Sequence, residues 1–153
     1  MSQEQVLHDT FTLERDYPVH PKKVFEAFAD VNVKAKWWGF DPNDENHTID
    51  FRVGGRELSR GGPPGGPVFT FDATYHDIVQ DERMIYSYRM LMDDRPISVS
   101  LTTVEIAEHG DGTRLRLTEH GAYFDPADGP EIRSGGTGEL LDNLGRVLAG
   151  TGR

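Results

Sequence analysis

The chain alternates apolar and polar residues in short blocks divided by turn residues, and it ends on a helical period. In HDTFTLERDY, Phe11 and Leu13 share one face of a first strand. Pro18 and Pro21 stop that strand. Pro21 suits the first turn of a helix, where its missing N–H has no intrahelical partner to lose. Val24, Phe25, Phe28 and Ala29 then form the apolar face of a short helix. A second short helix is predicted over residues 32–38, and PNDEN reads as a loop. From His47 the period returns to two, through TIDFRV, RELSR, VFTFDATYHDIV, RMIYSYRML, ISVSLTTVEIAE and TRLRLTEHGAYF. Their connectors are Gly54-Gly55, GGPPGGP, Asp93-Asp94 and HGDG, all turn formers. After Pro126 and Pro130 the spacing of Leu140, Leu141, Leu144, Val147 and Leu148 predicts an amphipathic helix of about 15 residues. Gly135-Gly136-Thr137-Gly138 lacks the lysine and preceding strand of a phosphate loop and reads as a flexible entry to that helix.

This order describes an α+β fold: a strand, two short helices, further strands joined by hairpin-like turns, and a long C-terminal helix. One antiparallel sheet of six to seven strands, covered by a single helix, tends to curl around it. The space between the two is hard to fill with side chains alone. All 153 residues fit one domain.

MIYSYRMLM, residues 84–92, bears on that space. Met84, Tyr86, Tyr88, Met90 and Met92 share one face. A buried tyrosine needs a partner for its hydroxyl, and methionine fills irregular space. The face reads as the lining of a cavity, the alternative being an ordinary core whose hydroxyls pair internally. In LRLTEHG, Glu119 follows Leu115 and Leu117 onto one face, so it is expected to point inward. A carboxylate buried there has a raised pKa and serves as an acid–base or as an anchor for a ligand's polar atom. The alternative is a rim position paired with Arg52, Arg56 or Arg116. Arg56, placed by two glycines, is a candidate to enter the cavity or a solvated strand residue. Trp37 and Trp38 point about 100° apart on a helix, so one of them is expected at the cavity mouth.

The formal charge of −10 disfavours nucleic acid and anionic membrane as partners. The absence of cysteine excludes disulfides and thiolate chemistry. With no signal-peptide pattern and no apolar run of membrane-spanning length, a cytoplasmic location is expected. His47, His76, His109 and His120 have no ligand spacing, and no serine lies in a nucleophile-elbow context, so no metal, cofactor or serine triad is expected.

YPVHPKKVFEAFAD, KWWG, FRVGGRE, YHDIVQDERMIYSYRM, SVSLTTVEI, GTRLRLTEHGAYFD and GELLDNLGRVLAG occur in this order across nearly the whole chain. Together they resemble the START-like, helix-grip (SRPBCC) superfamily. Within it they are most similar to the branch named after the activator of the heat-shock chaperone ATPase, with its polyketide cyclase-like relatives. The resemblance implies a curved antiparallel sheet gripping the C-terminal helix, with a cavity between them, and no particular chemistry. Chaperone-stimulating eukaryotic members carry an additional N-terminal domain; a first strand near His8 is expected to leave none here.

The expected ligand-binding set is Trp37, Arg56, Phe71, Tyr86, Tyr88, Met90, Leu117, Glu119, Leu140 and Leu144, with Glu119 the one catalytic candidate. The leading function is binding of a small apolar or amphipathic molecule. The alternatives are an enzyme of cyclase, dehydratase or hydrolase type using Glu119, and a chaperone- or stress-linked interaction module. A monomer or a homodimer is expected.

Overall fold

The computed structural model describes residues 5–151. Strand β1 (Leu7–Tyr17) is followed by helices α1 (Pro21–Ala29) and α2 (Val31–Trp38). Six strands come next: β2 (His47–Ile49), β3 (Arg56–Gly61), β4 (Phe69–Val79), β5 (Arg83–Met92), β6 (Arg95–His109) and β7 (Gly112–Tyr123). Helix α3 (Pro130–Thr151) is the last of the described elements. The strands form one antiparallel sheet in the order β1-β7-β6-β5-β4-β3-β2. The last six are therefore a meander, and β1 returns to pair with β7. This is the helix-grip fold.

Alternation decides which side chains reach α3. Phe71, Ala73 and Tyr75 of β4, Tyr86 and Tyr88 of β5, and Leu115 and Leu117 of β7 share one core with Leu141, Leu144 and Leu148 of α3. Two register shifts interrupt the pairing. One leaves His76 of β4 unpaired opposite β5, and the other leaves Ile97 of β6 unpaired. Both extra residues lie on the neighbours of β5, so Tyr86, Tyr88 and Met90 keep a common face.

Two elements differ from the pattern reading. The strand expected through TIDFRV ends at Ile49, because residues 50–55 turn back through Gly54 at φ 85°. The C-terminal helix is 22 residues long and passes through Gly135, Gly136 and Gly138. Those glycines are helical rather than a flexible entry. Glycine is a poor helix former, but Pro130 starts the helix and packing holds it. Gly138 and Gly145 also lie where α3 passes over β1. A Cβ on Gly145 would stand 3.3 Å from the Tyr17 ring, and one on Gly138 would stand 3.3 Å from the Arg15 guanidinium. The crossing is pinned by the Tyr17 hydroxyl, which donates to the Leu141 carbonyl at 2.8 Å, and by Arg15 Nε, 2.8 Å from Asp142.

Helix α2 is fixed at both ends. The Asp30 carboxylate accepts from the backbone N–H of Asn32 and Val33, and Gly39 ends the helix at φ 93°. This matters for the site, because α2 carries both tryptophans.

Candidate functional site

Between α3 and the inner face of the sheet lies a cavity of about 270 Å³. That is just below the roughly 300–1,000 Å³ of typical small-molecule sites. Its wall is largely aromatic. Phe28 meets Trp37 with ring centroids 4.9 Å apart, Trp37 meets Trp38 at 5.6 Å, Trp38 meets Phe71 at 5.1 Å, and Phe71 meets Tyr88 at 4.7 Å. Edge-to-face and tilted pairs of this kind stabilise one another beyond their buried area. Trp37 is anchored further by its indole N–H, which donates to the Ala27 carbonyl at 2.8 Å.

One end of the cavity is polar. Glu119 of β7 is only 2 % exposed. Its Oε2 accepts from the Tyr88 hydroxyl at 2.7 Å and its Oε1 from the Thr102 hydroxyl at 2.8 Å. Burial raises its pKa, and the hydrogen bonds from Tyr88 and Thr102 and the charge of Arg133 offset this only in part. The Tyr88 hydroxyl is pushed well above its ordinary pKa, first by burial and then by the neighbouring carboxylate. Arg133, in the first turn of α3, lines the same end. Its guanidinium donates to Asp128 at 2.7 Å, lies over the Tyr88 ring at 5.7 Å, and leaves its Nε without a partner. No ion pair joins Glu119 to Arg133 among the described residues.

Behind Trp38 lies a second buried polar cluster. Glu57 of β3 faces inward and is fully buried. Lys34 of α2 reaches its Oε1 at 2.7 Å, the Tyr75 hydroxyl donates to the same oxygen, and His47 Nε2 stands 3.4 Å from Oε2. Burial alone would raise the Glu57 pKa. The Lys34 charge, the nearby His47 imidazole and the hydrogen bonds from Lys34 and Tyr75 overcome it and hold the group at about 2. Lys34 also sits over the Trp38 ring at 4.6 Å, and Phe40 stacks on His47 with centroids 3.5 Å apart. The cluster thus ties α2, and the aromatic wall it carries, to the β2–β4 edge of the sheet.

The structure brings most of the expected residues together. Trp37, Phe71, Tyr86, Tyr88, Met90, Leu117, Glu119 and Leu140 all line the cavity. Two do not. Arg56 points to the outer face, where it pairs with Asp72 at 2.8 Å beside Arg89. Its neighbour Glu57 takes the inward position instead, so the glycines before Arg56 do not redirect it. Leu144 is sealed in the core away from the cavity. Glu119 pairs with none of Arg52, Arg56 and Arg116, which bind Asp50, Asp72 and Glu14. Both tryptophans, not one, wall the cavity.

Arg133 and the Glu57 cluster are not among the residues expected from the sequence. The signal for Arg133 was its helical spacing to Thr137 and Leu140, hidden by the glycines between them. Among the described residues no group of three or more His, Asp or Glu is arranged to hold a metal. No helix among them is long and apolar enough to cross a membrane.

Comparison with known proteins places this architecture. The family model described as Activator of Hsp90 ATPase homolog 1-like protein matches residues 18–149. The crystal structure of Mll3558 from Rhizobium loti is 48% identical, with a TM-score of 0.88 over 94% of this chain and 99% of that one. A putative uncharacterized protein from Rhizobium leguminosarum is 32% identical, with a TM-score of 0.87 over 95% and 97%. CalU16 from Micromonospora echinospora shares the fold at 20% identity, with a TM-score of 0.63 over 95% and 85%. No curated protein matches this chain.

Proposed function

The chain belongs to the Activator of Hsp90 ATPase homolog 1-like family, and from that premise we propose that its sheet–helix cavity binds a small, mostly apolar molecule. The observation that carries this reading is the continuous aromatic wall around about 270 Å³ of space, closed at one end by hydrogen-bonding groups. Apolar walls supply affinity through burial, and a few placed polar groups supply orientation. Native mass spectrometry of gently purified protein tests it, beside a Leu140→Trp variant that fills the cavity from α3. A mass excess that leaves on denaturation and is lost in the variant supports the reading. If the variant keeps the excess, the molecule binds elsewhere.

Glu119 favours a second reading, in which the cavity is an active site of cyclase, dehydratase or hydrolase type. Burial moves its pKa toward the range in which a carboxyl group exchanges protons at neutral pH. A Glu119→Gln variant that turns over a discovered substrate at the full rate would end this reading and leave binding untouched.

A further inference from the structure

The polar end of the cavity has a definite charge and a definite set of unused hydrogen-bonding positions. Arg133 contributes one positive charge, which Asp128 offsets at 2.7 Å. Asp128 is itself buried and receives the Ser98 hydroxyl at 2.6 Å. Glu119 then remains as the unbalanced group, and both of its oxygens already receive a hydroxyl hydrogen. The buried Ser100 hydroxyl is a third neighbour of the carboxylate, and since two oxygens have four lone-pair sites, one acceptor position remains. Asp128 takes Nη2 of the guanidinium, and no hydrogen bond among the described residues takes Nη1, which keeps its donors. An acceptor and a donor therefore line the same cavity, with no ion pair between them.

We infer that this end of the cavity selects a neutral hydroxyl group, which donates to the Glu119 carboxylate and accepts from the Arg133 guanidinium. The inference rests on the cavity-binding reading and names the ligand's polar group. An alcohol or phenol satisfies both sides at once. A ketone of the same shape accepts from Arg133 and leaves Glu119 unanswered. A carboxylate also meets Arg133, but it brings a like charge toward Glu119 in a site whose one cation is already paired, and such buried repulsion is costly. The body of the ligand lies against the rings of Trp37, Trp38 and Phe71, and so is apolar.

The test uses three probes on one skeleton: adamantanol, adamantanone and adamantanecarboxylate. None absorbs appreciably where tryptophan is excited. Trp37 and Trp38 are the chain's two tryptophans and both line the cavity, so intrinsic fluorescence reports on this site. At pH 7 adamantanol is expected to bind about tenfold or more tightly than either other probe, the margin of one hydrogen bond to a charged group. Glu119→Gln removes the like charge, so adamantanecarboxylate should gain on adamantanol. A merely structural role for Glu119 would weaken all three together. Equal binding of the three probes overturns the inference and leaves the cavity reading standing. Preference for the ketone also overturns it, because the proton would then sit on Glu119, and so does preference for the carboxylate. If no probe alters the fluorescence or gives heat in a calorimetric titration, the cavity reading itself fails.

Discussion

Lys34 Nζ lies 2.7 Å from Glu57 Oε1, with both side chains almost wholly out of water, and this contact joins α2 to the sheet. Removing one partner leaves a buried charge alone. Lys34→Met should therefore cost about 3–5 kcal/mol of stability, measured by urea unfolding. Lys34→Met with Glu57→Gln should recover much of that loss, because glutamine still accepts from Tyr75 and leaves no charge. If the double variant is no more stable than the single one, the pair is not the source of the cost.

Glu57 and Glu119 should give opposite pH signatures. The folded pKa of Glu57 lies at about 2, below its unfolded value. Its contribution is present in full above the unfolded pKa of about 4.3 and is lost as pH falls toward 2. Wild type should therefore lose its advantage over Glu57→Gln in acid. The folded pKa of Glu119 is raised. Its ionisation penalty is absent below the unfolded pKa and grows as pH rises through the folded value. Glu119→Gln should gain on wild type over that rise. Unfolding free energies of the three proteins between pH 3 and 8 would check both signs.

Tyr88→Phe removes one of the two hydroxyls that Glu119 accepts from. The loss should cost about 1–3 kcal/mol and push the Glu119 pKa higher, since that hydrogen bond favours the charged form. An NMR titration of the Glu119 side-chain carboxyl carbon reads the shift. A downward movement would contradict the geometry.

The glycines of α3 divide by what faces them. Gly135 and Gly136 look onto open space, so alanine at either should stabilise the protein by about 0.5–1 kcal/mol. Gly145→Ala places its Cβ 3.3 Å from the Tyr17 ring, which must give way, so its gain should be smaller or absent. Denaturant midpoints of the three variants test this. An equal gain at all three positions would mean that Tyr17 yields freely.

The alternation in MIYSYRMLM was legible because neither register shift falls on β5. Its partner strands absorb both, and Tyr86, Tyr88 and Met90 stay inward as the period of two requires. Glu119 was legible for the same reason, since Leu115 and Leu117 declare the inner face of β7. The RELSR strand misled because its pattern is inverted. Charged Glu57 faces in, while Arg56 goes out to Asp72.

Local pattern, then, was enough to determine the order of elements, the α+β class and the faces of the strands whose apolar residues alternate cleanly. Period and turn chemistry are properties of neighbours along the chain. Tertiary structure decided the rest. Glu57 tolerates burial because Lys34, His47 and Tyr75 converge on it from three other elements. Arg133 reaches the cavity because α3 begins a full turn before its glycines, held by packing rather than by propensity. Charges and donors that meet only across the fold leave no period in the sequence, and they set what the cavity can hold.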